Sequence, residues 1–322
     1  MTMQVGAVTR LPPWRTLAIV AAALALLPLP AVTAAVGAAP TGVVANAGAA
    51  NAGAADYATA IGKWREEFDA DVRSGGWLAL VGRYQLAEGE SSIGSDAMST
   101  LVLPEAAPPH LGRLRRHGRW IGFEPAAGLG ITLDGTPLEE LAQLATRRGE
   151  GRVRSGRWSF AVRQVGDDYY ALVQNNDNPA IEAFKGTSWF AVDPRYRVTA
   201  SFVAYASPER RAVPMMHIDS REFMSSDGAV IFRLGGRTQK LRTFTTGDSL
   251  FVMFRDRTNG HGTYGGGRFL EAPLPSGGRV TLDFNKAFNP YCSVNNYVIC
   301  PVVPAENTMA VRVAAGEKYP GE

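Results

Sequence analysis

From Trp77 onward the chain is cut into short apolar runs, separated at close intervals by Gly, Pro, Asn and Asp. Runs this short, bounded by turn residues and rich in β-branched and aromatic side chains, predict strands of antiparallel sheets. Residues 77–86, 92–96, 100–104, 112–116, 120–123 and 130–135 form one such series, spaced as in a β-sandwich. Past Gly151, residues 158–163 and 169–173 predict a hairpin over 165–168. A long strand at 196–205 follows, then a meander through 229–233, 239–244, 249–254, 264–270, 280–284 and 309–313.

Helical periodicity is confined to the start. Tyr57, Ile61, Trp64, Phe68 and Val72 share one helical face, while Lys63, Arg65, Glu66, Glu67 and Asp69 cover the other. Asp56 suits the N-cap, and Ser74-Gly75-Gly76 suits the stop. A second short helix is expected at 137–146. The fold class expected is mainly β: an N-terminal helix, then two packed antiparallel β units, a sandwich followed by a meander or barrel-like sheet. The expected organisation is a signal peptide at 1–38, a flexible linker at 39–56 dominated by Ala, Gly and Asn, a helix-plus-sandwich unit at 57–150, and a second β unit at 151–322.

The expectation of export comes from the first 38 residues. Arg10 and Arg15 precede an apolar stretch at 16–29, and small residues Ala31, Thr33, Ala34 and Ala35 follow. The stretch is shorter than the roughly 20 residues of a spanning helix. The mature chain is therefore expected in the periplasm or outside the cell, with no stable membrane span. The formal charge of +3 is too small to argue for nucleic acid, and the basic run 113–119 reads as an exposed hairpin. In an exported chain two cysteines eight apart, Cys292 and Cys300, are expected to form a disulfide, worth about 2–3 kcal/mol by chain-entropy arithmetic. The rival is a pair of zinc thiolates. Zinc needs two more ligands, and none of the four histidines has ligand spacing with another, so no metal or cofactor is expected.

The polar residues concentrate between 251 and 317. Arg255, Asp256, Tyr264, Arg268, Asp283, Asn285 and Asn289 are the candidate ligand-binding residues. On a strand, Asp283 and Asn285 share a face and Phe284 points the other way, to the core. Arg255 and Arg268 on neighbouring strands are expected to meet Asp283, either as a buried staple or as one wall of a pocket. Tyr264 and His261 are the nearby groups suited to acid–base work.

Two motifs lead nowhere. Gly247-Asp248-Ser249-Leu250 spells an esterase signature, but it opens a strand and no Asp-x-x-His accompanies it, so it reads as a turn. Residues 262–267 are Gly-rich without the Lys-Ser/Thr of a phosphate loop and read as a turn or bulge.

Two resemblances emerge. Arg255-Asp256, Thr258, Thr263-Tyr264-Gly265, Gly267-Arg268, 282–285, Asn289-Pro290, Cys292, Cys300-Pro301, Asn307 and 315–317, with 76–78, 190–194 and 196–198, resemble a bacterial family of unknown function, numbered 1684. The likeness runs over about 60–318 and implies no activity. Tyr291 departs from it, standing where the family pattern has Pro. Residues 77–138 also resemble a forkhead-associated domain through Ile93-Gly94-Ser95, Leu103-Pro104, 108–110 and Asp134-Gly135. The phosphothreonine-binding Arg of that family falls at Ser95 and its Ser near Ala107, so the resemblance implies a sandwich shape with phosphopeptide binding lost.

Two functions fit these observations. One is a binding or structural module of the cell envelope, with a polar pocket for a small molecule or envelope ligand. The other is a hydrolase of unknown substrate, built on the same cluster with Tyr264 or His261.

Overall fold

The computed structural model describes residues 46–146 and 150–319. The expected signal peptide and residues 39–45 of the expected linker lie outside the described residues. Helix α1 (Asn46–Ser74) begins ten residues before Asp56. The segment expected to be a linker is Ala-rich, and Ala has the strongest intrinsic helix propensity, so the helix extends through it. Its apolar face is the expected one: Ile61, Phe68 and Val72 are buried and Trp64 half-buried.

Strands follow in the order β1 (Leu80–Gln85), β2 (Gly89–Gly94), β3 (Leu101–Val102), β4 (Gly112–His117), β5 (Trp120–Pro125), β6 (Thr132–Leu133), β7 (Thr136–Pro137) and β8 (Ala142–Gln143). Then come β9 (Val153–Ser155), β10 (Trp158–Val165), β11 (Asp168–Asn175) and the short helix α2 (Pro179–Ala183). The last set is β12 (Arg197–Pro214), β13 (Arg221–Leu234), β14 (Arg237–Thr246), β15 (Ser249–Phe254), β16 (Arg268–Pro273) and β17 (Arg279–Asp283).

Two sheets make the sandwich. One has the order β1-β11-β10-β9-β6-β7 and the other β3-β2-β4-β5-β8. Ile93, Leu114 and Phe123 of one sheet pack on Phe160, Val162 and Val173 of the other, and Phe123 meets Phe160 edge-on at 5.1 Å. Strands from both sides of residue 150 share the first sheet.

The third sheet has the order β16-β15-β14-β13-β12-β17, with its two outer strands, β16 and β17, lying against each other. It is thus a nearly closed barrel, filled by Val230, Leu241, Val252, Phe254, Leu270, Leu282 and Phe284. A small barrel is filled by its own inward side chains and holds no lumen. Phe284 is fully buried, as expected.

Two expected elements are absent, and the strand expected at 264–270 starts only at Arg268. Residues 137–146 form β7 and β8 pairings instead of a helix. Residues 264–267 are a turn closed by the Gly267 N–H on the Tyr264 carbonyl at 3.0 Å, with Gly267 at φ 101°. Residues 309–313 join no ladder and bend at 310 and 311. Met309, Val311 and Val313 instead point into the barrel, and this C-terminal strap closes one of its ends. The apolar alternation that reads as a strand is real, but its burial comes from plugging a core.

A third apolar cluster joins α1, β1, the barrel wall and residues 288–303. Phe68 contacts Trp189 at 5.5 Å, Phe288 at 5.3 Å and Tyr291 at 6.1 Å, and Tyr291 stacks on Trp77 at 4.7 Å. Tyr291 is therefore an aromatic joint between helix and barrel.

Candidate functional site

The candidate residues fall into separate groups. Arg268 and Asp256 form the first, an ion pair at 2.7 Å with both side chains wholly buried. Arg268 also donates to the carbonyls of Val313, at 2.8 Å, and Ala315, and lies over the Phe254 ring. The other Asp256 oxygen accepts from the Thr258 N–H and hydroxyl, at 2.8 and 2.7 Å, and from the Val313 N–H at 3.1 Å. Both charges thus hold the C-terminal strap to the barrel.

Asp283 and Asn285 form the second group, and the expected meeting of Asp283 with Arg255 or Arg268 does not occur. Asp283 closes β17 and caps the 3-10 turn Phe284–Lys286 through the Asn285 N–H. It accepts from the Tyr57 hydroxyl of α1 at 2.8 Å. Asn285, fully buried, donates to the Tyr57 oxygen and to the Asp193 carbonyl, both at 2.9 Å, and accepts from the Asp193 N–H, also at 2.9 Å. Desolvation first, then the Asp283 carboxylate, push the Tyr57 phenol well above its ordinary pKa. Asp283 and Asn285 do not share the strand expected of them; the 3-10 turn that Asp283 caps brings the two side chains together, and both bond Tyr57 of the helix.

Asn289 belongs to a third group. Its N–H donates to Glu317 Oε2 at 2.7 Å and its side-chain amide to the Lys318 carbonyl at 3.0 Å. Burial raises the Glu317 carboxyl to about 8. Arg255 contributes its backbone to the Asn307 and Met309 segments, and its half-buried side chain has an Nε without a partner among the described residues.

The expected disulfide is not formed: Cys292 and Cys300 are both free and buried. Their sulfurs nevertheless share a hub. The Cys292 thiol donates to Met216 Sδ at 3.3 Å, and hydrogen bonds from Cys300 and Tyr264 reach the Cys292 sulfur. Burial first, then Cys292, raise the Tyr264 phenol to about 12. His261 is exposed on a loop. Gly247 and Asp248 are the β14–β15 turn, as expected of that motif.

Sequence reasoning missed a groove of about 350 Å³ between β12, β14 and residues 302–306. Buried Val213, Phe244 and Val303 line it, with Arg211, Arg242 and Glu306 at its rim. Arg242 pairs with Glu209 at 2.8 Å and Glu306 at 3.1 Å, and Arg211 lies within 4.0 Å of both carboxylates. Asn307 fixes this wall. Fully buried, it accepts from the Arg242 N–H at 2.8 Å and donates to the carbonyls of Arg242, at 2.9 Å, and Met253, at 2.7 Å.

Residues 182–318 match the model of a family described as protein of unknown function, DUF1684, and span the barrel, the strap and every group above except Tyr57. The chain belongs to the DUF1684 family. An uncharacterized Haloarcula marismortui protein solved by solution NMR is 33% identical, over 45% of this chain and 82% of that one, with a TM-score of 0.39. A structure from a study of phosphothreonine-dependent FHA domain interactions is 22% identical over 28% of this chain and 81% of that one, with a TM-score of 0.21. No curated protein matches. The matched span thus takes in the residues that hold this barrel together. Asn307 lies within it, and its link to the groove becomes visible only through its partner Arg242, 65 positions away.

Proposed function

We propose that this protein is an exported binding module that takes a small amphipathic molecule into the groove beside Asn307. The observation that carries this reading is the Asn307 clamp, a fully buried residue whose hydrogen bonds shape the groove wall. Small-molecule sites characteristically combine an apolar floor with a few placed polar groups, and Phe244, Val213 and Val303 under Arg211 and Arg242 have that composition. The Arg211–Glu209–Arg242–Glu306 ring is neutral overall. A ligand carboxylate would displace Glu306 from the guanidiniums while its apolar tail covered Phe244.

Hydrolysis fits less well. A shifted acid in an open cleft would favour it. The carboxyl pushed above its ordinary range, Glu317, is buried, Glu306 at the groove rim is held below its ordinary range by its backbone hydrogen bond and Arg242, and Tyr264, raised to about 12, holds its proton near neutrality. Export rests on the charge and apolar pattern of residues 1–38.

The test is a thermal-shift and calorimetric screen of the chain recovered from cell fractions, using medium-chain carboxylates, the matching alcohols and small sugars. A carboxylate at a hundredfold excess over its Kd should stabilise by about 2.7 kcal/mol. Arg211→Glu, at a half-exposed rim position, should abolish that shift without lowering the melting temperature of the free protein. Binding unchanged by Arg211→Glu, or no shift with any of these compounds, would overturn the groove. Recovery of the chain in the cytoplasm with Met1 intact would overturn export.

A further inference from the structure

We infer that Cys292, Cys300 and Met216 form a three-sulfur site for a soft monovalent metal ion, Cu(I). The three sulfurs come from three stretches of backbone that converge. Met216, in the turn after β12, lies beside Cys300, joined by the Met216 N–H on the Cys300 carbonyl at 2.7 Å, with the Val302 N–H on the Pro214 carbonyl at 2.8 Å next to it. Cys292 sits on the 3-10 turn Tyr291–Ser293, and its N–H points at Cys300 Sγ at 3.4 Å. Its own sulfur is 3.3 Å from Met216 Sδ.

The loop between the cysteines is pinned. Asn295 donates to the carbonyls of Trp77 and Leu80, at 3.0 and 2.8 Å, and Arg83 donates to the Asn296 carbonyl at 2.7 Å. The sulfurs are therefore held together before any ion arrives, as a metal site on a rigid scaffold requires. Cys292 and Cys300 are buried, whereas Met216 and Tyr264 are half-buried and give the ion a way in.

The donor set selects the metal. Thiolate and thioether sulfur favour Cu(I), while hard cations need oxygen. Zinc needs four ligands, and among the described residues no cluster of three His, Cys, Asp or Glu supplies them. On binding, each thiol loses its proton to solvent and two thiolates with the Met216 thioether surround one Cu(I). No electron is transferred. The resulting site carries one net negative charge. The site is distinct from the groove and does not depend on a ligand there.

The experiment is an anaerobic titration of the reduced full chain with Cu(I) buffered by a chromogenic chelator, with X-ray absorption of the loaded protein. The expected result is one ion per chain, a sulfur-only shell and an ultraviolet thiolate-to-copper band. Met216→Leu conserves volume and leaves both thiols in place. It should weaken binding by at least the roughly tenfold that loss of even an outer-shell partner costs. Circular dichroism confirms that this variant is folded. Failure of the wild-type chain to take Cu(I) from the chelator would overturn the site. So would a Met216→Leu affinity equal to wild type, nitrogen or oxygen in the shell, or equally tight binding of Zn(II).

Discussion

Arg268 shows what a barrel of this kind requires of a buried charge. Its guanidinium is wholly enclosed, and it is tolerated because Asp256, two carbonyls of the strap and the Phe254 face surround it. Removing one member of a buried pair leaves the other charge uncompensated. Asp256→Ala should therefore cost about 3–5 kcal/mol, read as a fall in the denaturant midpoint. A loss below about 1 kcal/mol, the range of a surface pair, would show that water reaches Arg268. The sequence singles out Arg255, Asp256, Arg268, Asp283 and Asn285 as special, but not how they pair. Strand neighbours suggest an Arg268–Asp283 contact, whereas Asp256 folds back onto Arg268 through the Thr258 turn. Tyr57, which ties Asp283 to α1, is 226 positions away and reads in the sequence only as one member of an apolar helix face.

At the scale of elements, the strap depends on one backbone conformation. Gly316 has φ 79°, and a Cβ there would lie 2.4 Å from the Ala287 carbonyl oxygen and 2.8 Å from that of Phe284. Neither oxygen belongs to a flexible side chain. Gly316→Ala should destabilise by more than the roughly 1–3 kcal/mol of left-handed strain alone, measured by urea unfolding. Unchanged stability would mean that the strap can shift off the barrel. Most strands are legible because their apolar runs and turn residues agree locally, as in β15, β10 and β11. The misread elements are those where tertiary packing decides. Residues 309–313 are buried without a ladder, and the Ala-rich start of α1 looks like a linker because low complexity hides helix propensity. The groove has no local signature, since its floor and rim come from residues 211–214, 242–244 and 302–306.

For the whole molecule, Glu317 links stability to pH. Its carboxyl is raised from 4.5 to about 8 in the folded chain, chiefly by desolvation. Between these values the folded state binds more protons than the unfolded one. Its contribution is complete below about 4.5 and is lost as pH rises through about 8. Glu317→Gln stays neutral and should lack this component. Urea midpoints of wild type should fall relative to the variant between about pH 4.5 and about 8, and parallel profiles would show that Glu317 ionises normally.

The strap has a further consequence. Met309, Val311, Val313 and Ala315 complete the barrel core, and Glu317 bridges to Trp189. They are synthesised after every strand of the barrel they plug. A nascent chain can assemble the sandwich while it is being made, but the barrel must wait, its core unplugged and Arg268 without its carbonyls, until these residues follow. Contacts of such long sequence separation fold slowly. The interval before the strap is made is when this protein is most exposed to misassembly, and truncation ahead of Met309 would prolong it indefinitely.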